Sequence, residues 1–422
     1  MVRSMLHFIE KSPTCFHAVE NAAQMLEEQG YVNLKEGAFS LKQGGKYYVT
    51  KNGSAIIAFR IPEGSPKGFT VAASHSDSPC FRLRDHAELA GTYVRLSCER
   101  YGGQILASWV DRPLSVAGRV LVRTEQGIAS RLVDFQKDTV LIPNVAIHLN
   151  REMNTALTYD PKTDLVPLYG LGDAKGCFKK ELAKLASCEE ADILATDLYI
   201  YNNQKGAVWG AQNEFVSASR LDDLACVYTS LEAFLQAEAK SIPVFAVFDN
   251  EEIGSETRQG AGSRFLADTL EQICQSLGAD HRRMLANSMM LSCDNGHGLH
   301  PNRPDLADRT EAPVPGSGVI VKHSPRYATD GVSSAVFCEV CRRAGVPVQH
   351  YSNRPDQAGG ATLGNIANTK TAMLTADIGM AQLAMHSSFE TAACADVSDM
   401  IRAVKAMYET ALTIEGDTVT LG

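Results

Sequence analysis

Between Asp222 and Cys293 the sequence alternates between two textures, and that alternation limits the fold more than any other feature. "DDLACVYTSLEAFLQAEAK" spaces its apolar residues as a helix does, and "IPVFAVF" is an unbroken apolar run of strand length. "RFLADTLEQICQSLG" is helical again, and "SMMLSC" is a second apolar run. Continuous apolar strands separated by helices form a parallel sheet covered on both faces. The pattern resumes with "SSAVFCEVCRRAG", "VPVQHY", "TAMLTAD" and a last helix over "DVSDMIRAVKAMYETALT". It is prepared at the start by two helical patterns, the second opened by "SPT" and closed by Gly30. The strands "SAIIAFR" and "FTVAAS" follow.

From about Asp85 to Ala195 the texture is different. "TYVRLSC", "GRVLVR" and "DTVLIP" alternate as half-buried strands do, between Gly-rich turns, with one helical pattern at "KKELAKLASC". A chain of 422 residues has room for a large unit and a second one within it. The expected architecture is therefore α/β, a mostly parallel sheet with helices on both faces, formed by 1–84 and 195–422. A β-rich domain at 85–194 is inserted into it.

Several function classes are excluded. No segment reaches the roughly 20 apolar residues of a membrane span, and "MVRSMLHFIEKSPTCF" lacks the apolar core of a signal peptide. A net charge of -9 without a basic block argues against nucleic acid as a partner. Eleven cysteines, an odd number at scattered positions, read as free thiols; Cys226, Cys274 and Cys293 lie in apolar runs. The one C-x-x-C pair, Cys338 and Cys341, falls on a helical pattern, where packing outweighs a redox or zinc role. The expected location is the cytoplasm.

What the core runs end in carries the chemistry. "IPVFAVF" stops at Asp249, Asn250 and the adjacent Glu251 and Glu252; "FTVAAS" stops at His75, with Asp77 two residues on; "SMMLSC" stops at Asp294. Asp222 and Asp223 open a helix, and His386 sits in a Ser-flanked turn. Each alone has an ordinary explanation: a solvated acidic turn, a helix N-cap, a packed histidine. His297 and His300, in a Gly-rich turn, suit supporting roles. Strand ends in open α/β sheets gather ligands, however, and two histidines with three carboxylates suit zinc, manganese or cobalt. One shared carboxylate would let the set hold two ions and leave a glutamate free as a base.

"ASHSDSPCFRL", "SRLDDL", "FDNEEIGS", "SCDNGHGLHPN" and "LAMHS", in this order, resemble the motifs of the aspartyl aminopeptidase family of dinuclear metallopeptidases. "SWVDRPLSVAGRV" and "NVAIHLNR" in the inserted region are similar to that family too. The resemblance implies that His75, Asp222 and Asp294 hold one metal, and that Asp222, Glu252 and His386 hold the second. Asp77 would orient His75, and Glu251 would be the general base. It implies an aminopeptidase that removes N-terminal residues from peptides by a bridging metal-hydroxide mechanism, with two divalent ions per subunit, zinc foremost. An acidic N-terminal residue is expected, with Lys322 of "VIVKHSPRYATDG" meeting it. The resemblance further implies a homo-oligomer, a tetrahedral dodecamer, in which His148 reaches the substrate in a neighbouring subunit. A related dinuclear amidohydrolase or carboxypeptidase, and a catalytically silent assembly protein, stay open as alternatives.

Overall fold

The computed structural model describes residues 1–422 except Glu36, Ala358 and Asp417. Nine strands form the main sheet, in the order Val32–Asn33, Lys46–Lys51, Ala55–Arg60, Ile242–Phe248, Phe69–His75, Met289–Cys293, Leu374–Gly379, Val319–His323 and Val348–Ser352. The four central strands, from Ile242–Phe248 to Leu374–Gly379, are mutually parallel. Antiparallel pairings flank them on both sides. Every residue of Phe69–His75 and of Ile242–Phe248 is buried, which is why these strands read as unbroken apolar runs.

Alternate residues of these strands feed two separate cores. Ala72, Phe245, Val247 and Leu291 pack on one face with the helices Leu221–Gln236, Gly331–Ala344, Cys394–Tyr408 and the two N-terminal helices. Val71, Ala73, Val244, Ala246 and Met290 pack on the other face with Phe265–Leu277, His281–Ala286 and Leu363–Thr371. The sheet is thus covered on both sides, as the alternation requires. Cys341 belongs to the first core and Cys338 packs against it, so the C-x-x-C pair serves helix packing. No helix among the described residues is long and apolar enough to cross a membrane.

A second sheet of seven strands runs from Cys80–Leu89 to Ile193–Tyr201, with all its pairings antiparallel. Ile193–Tyr201 pairs with both Cys80–Leu89 and Pro113–Thr124, which closes the sheet into a barrel. It has its own core, from Phe81 to Ile200, and the helix Cys177–Leu185 inserts Phe178 and Leu182 into it. "DTVLIP" supplies only the short strand Val140–Leu141; the chain beyond it is mostly exposed. The last helix ends at Tyr408, before the expected end, because "LTIE" and "TVTL" pair as a hairpin. Both segments are rich in β-branched residues, which favour that state.

A third, small sheet matters most for the site. Ala381–Leu383 and Glu390–Ala393 pair antiparallel, so the residues between them form a turn. Phe215–Ala218 pairs with Glu390–Ala393 on the other side, just ahead of the helix that begins at Leu221.

Candidate metal centre

Three parallel strands end at the same edge of the main sheet. His75 lies level with Phe248, and Asp294 follows Cys293 on the strand beyond. Past Phe248 and Asp249, Asn250 takes a left-handed backbone with φ 63°, a conformation Asn tolerates, and turns the chain into a short 3-10 helix at Glu251–Ile253. The Asp77 carboxylate fixes that turn. One oxygen accepts the N–H of Glu251 and the other that of Glu252, each at 3.1 Å. Tyr101, from the barrel, donates its hydroxyl to the same carboxylate at 2.8 Å.

Asp222 and Asp223, joined by a cis peptide bond, open the helix Leu221–Gln236. Neither caps it, since Arg220 occupies the N-cap position. The Asp222 N–H donates to Glu390 Oε2 at 3.0 Å, and Asp223 Oδ2 accepts the His75 N–H at 3.2 Å. His386 sits in the turn of the small sheet with φ 66°.

These side chains form three metal-sized groups, within each of which the ligand atoms lie within 4.8 Å of one another: His75, Asp222, Asp223 and Asp294; His75, Glu251 and Glu252; Asp222, Glu252 and His386. Asp222 belongs to the first and third. Glu252, and not Glu251, joins Asp222 and His386 in the third.

The hydrogen bonds orient both imidazoles. His75 Nδ1 lies 3.0 Å from the Asp77 main-chain oxygen, and His386 Nδ1 lies 3.1 Å from the Gly103 oxygen. A carbonyl only accepts, so each Nδ1 carries a proton, and each Nε2 is the ring nitrogen turned inward. His75 Nε2 then faces Asp222 Oδ1 at 3.4 Å. His386 Nε2 faces Asp222 Oδ2 at 3.5 Å and Glu252 Oε2 at 3.6 Å. Each contact needs positive charge between nitrogen and oxygen: a proton when no cation is bound, or a cation held by both atoms. Asp222 Oδ1, Asp223 Oδ1 and Glu252 Oε1 are also buried without a hydrogen-bond donor. The inward nitrogens, the orphaned oxygens and the spacing all fit divalent cations. Asp77 orients His75 mainly through its backbone, with its carboxylate farther from the ring at 3.4 Å.

The titration of the cluster tells the same story. Burial pushes the Glu251 carboxyl up to about 8, the pull of His75 opposing and the charges of Asp294, Asp77 and Asp222 adding. Burial and the charge of Asp222 likewise raise Glu252 well above the usual range. Burial would raise Asp222 too, but the facing His386 and His75 rings prevail and hold it low. Burial would lower His386, but Asp222 and Glu252 raise it to about 10. A site that draws protons onto carboxylates and imidazoles alike has an excess of negative charge, which divalent ions relieve.

Lys322 borders the cluster and His148 lies away from it. Lys322 is 1% exposed, and its ammonium donates to Asp294 Oδ2 at 3.0 Å and to the Asn295 oxygen at 3.2 Å. His148 occupies an exposed turn of the inserted unit and belongs to none of the three groups. His297 and His300 line a cleft of about 340 Å³ together with Glu311, Tyr351, Arg354 and Met385, the neighbour of His386. Three participants carry no motif of their own. Tyr101 and Glu390 read as an aromatic at a strand end and an acidic residue after a turn. Asp223 was visible only as the neighbour of Asp222.

Comparison with known proteins adds an independent line. The family model described as Aminopeptidase I zinc metalloprotease (M18) matches residues 8–408. A probable M18 family aminopeptidase 2 of Clostridium acetobutylicum is 42% identical over 404 residues, covering 91% of this chain and 93% of the relative. The solved structure of the Ape4 and Nbr1 complex aligns with a TM-score of 0.93 at 30% identity, covering 96% of this chain and 85% of that one. The mApe1 dodecamer of S. cerevisiae aligns with a TM-score of 0.85 at 28% identity, covering 96% of each chain.

Proposed function

The chain belongs to the M18 family of zinc metallopeptidases, and from that premise we propose that it removes N-terminal residues from peptides at a two-ion centre. One observation carries this reading. Asp222 is shared by the His75–Asp294 group and the Glu252–His386 group, leaving Glu251 outside the second. His75, Asp222 and Asp294 would hold one ion; Asp222, Glu252 and His386 the other. Such ions supply Lewis acidity for the scissile carbonyl and lower the pKa of a bound water. The protein's own residues do the rest. Asp77 fixes the backbone of Glu251 and Glu252, so that Glu251 accepts a proton from the attacking water and returns it to the departing amine. Its raised pKa favours proton uptake, and bound cations would bring it down toward the working range.

The finer assignments belong to the same proposal. The catalytic unit comprises 1–79 and 202–422, and 80–201 is the inserted unit that mediates assembly. The boundaries expected at 85 and 194 move outward because Cys80–Leu89 and Ile193–Tyr201 are whole strands of the barrel. The exposed Val145, Ile147 and Leu149 flank His148, an apolar surface suited to a second subunit. A homo-oligomer, a dodecamer as in the yeast structure, would place His148 in a neighbour's site. The cytoplasmic location rests on eleven free thiols. For the substrate's N-terminal residue we retain Asp or Glu, as the family resemblance implies. The cleft beside Met385 carries His297 and His300 to meet it. Lys322, already bonded to Asp294, acts on the substrate only through that carboxylate.

Initial rates on aspartyl, glutamyl, leucyl, N-acyl and carboxy-terminal substrates, after reconstitution with zinc, manganese or cobalt, test the whole reading. Cleavage only of free-amine substrates, fastest for acidic ones, is expected. Preferred cleavage of N-acyl or carboxy-terminal substrates would replace it with the amidohydrolase or carboxypeptidase reading. In the same assay Lys322→Ala should lower kcat/KM for acidic and leucyl substrates alike.

A further inference from the structure

Glu390 takes no part in the reaction described above, yet one carboxylate joins the two segments that frame the second ion position. It is 2% exposed. Its Oε2 accepts the N–H of Asp222 at 3.0 Å, and its Oε1 accepts the N–H of His386 at 2.7 Å. The small sheet makes this reach possible. Glu390 lies opposite Ala218, on the strand that leads into Asp222, and it begins the strand that follows the His386 turn. Asp222 and His386 are therefore held through their backbones by opposite oxygens of one rigid group, with Asp222 Oδ2 and His386 Nε2 3.5 Å apart.

The His386 turn needs such support. Its left-handed φ of 66° is disfavoured for a residue other than glycine, so bonds from outside must hold it. The barrel grips the opposite side: the Gly103 oxygen accepts from His386 Nδ1, and the Ile105 N–H donates to the His386 oxygen at 2.9 Å. Among the described residues, Glu390 is the one carboxylate that accepts a backbone N–H from both segments. A neutral amide in its place has one accepting oxygen and would turn its NH2 toward the second N–H. Only the acid serves both segments.

We infer that Glu390 is the positioning residue that sets the spacing of Asp222 and His386, and so governs the affinity of the second ion position. The inference rests on the two-ion reading above. Cobalt titration of metal-free protein, followed by visible absorption and by chelator competition, reads the two positions separately. Wild type should take two ions. Glu390→Gln should weaken the second position, which uses both Asp222 and His386, by about 10–100-fold, the usual effect of removing support behind a ligand, and the first, which shares only Asp222, by clearly less. Glu390→Asp, which keeps the charge and loses the reach, should weaken the same position. Melting of the metal-free variants controls for a general structural role. Unchanged affinity at both positions in both variants overturns the inference. Equal weakening at both positions, with a lowered melting temperature without metal, assigns Glu390 to the fold alone and also overturns it. A wild type that binds one ion overturns the two-ion reading itself, and is distinguished from either outcome by needing no variant.

Discussion

Two carboxylates side by side in the sequence, Glu251 and Glu252, have different surroundings in space. Glu252 shares a group with Asp222 and His386, whereas Glu251 is grouped with His75 and Glu252. Glu251→Gln should therefore retain bound metal and lose about 10²–10⁴-fold in kcat, the usual contribution of a general base. Metal analysis beside steady-state rates checks both halves, and substantial residual activity removes Glu251 from that role. Asp222 is the residue both groups share. Asp222→Asn should lose more metal than either His75→Ala or His386→Ala, because it weakens two positions rather than one. Near-normal occupancy in purified Asp222→Asn would dismiss the sharing.

Among the helices, Cys15–Glu28 carries a pH response unconnected with the site. Its N-cap Thr14 bonds the His17 ring, Oγ1 to Nδ1 at 2.9 Å, rather than a backbone N–H. Burial pushes the His17 imidazole down to about 4, with Asp134 opposing and Arg220 adding to the fall. A histidine depressed in the folded state contributes its full stability above its ordinary value near 6.5 and loses it as pH falls through about 4. Global stability should decline across that window by at most about 3 kcal/mol. Denaturant melts of wild type and His17→Gln from pH 4 to 7 test this: the variant's curve should be flatter. Parallel curves would dismiss His17 as the cause. The turn at Glu251–Ile253 depends on a longer chain of bonds, Asn250 to Tyr101 to Asp77, the middle member supplied by the barrel. Tyr101→Phe should destabilise by about 1–3 kcal/mol, because it leaves buried partners unmatched. A variant as stable as wild type would show that water replaces the hydroxyl.

For the whole molecule, the open matter is whether the active unit is one chain. His148 lies in an exposed turn flanked by exposed apolar residues and belongs to none of the three metal-sized groups found among the described residues. If a neighbour's site receives it, His148→Ala should lower kcat by about 10²–10³-fold with metal content intact, the effect of losing one donor to a developing oxyanion. Co-assembled His148→Ala and Glu251→Gln subunits should then recover activity at mixed contacts. Light scattering of the active species gives the second check. A fully active monomer, or verified mixed oligomers without recovery, would confine the site to one chain.

Periodicity alone determined the α/β architecture, because burying a strand on both faces leaves an unbroken apolar run that sequence displays directly. The strand-end residues His75, Glu251, Glu252 and Asp294 were legible for a related reason: polar groups that interrupt a core run stand out against it. Hydrogen bonds across distant segments left no such trace. Glu390 bonds Asp222 across 168 positions, and Gly103 bonds His386 across 283, with nothing in either local sequence to announce it. The small sheet that brings them together is built from strands of two to four residues, too short for a periodic signal. Lys322 shows the limit most plainly. A lysine in an apolar strand offers a charge but no direction, and only the packing of Val319–His323 beside Leu374–Gly379 decided that it is spent on Asp294.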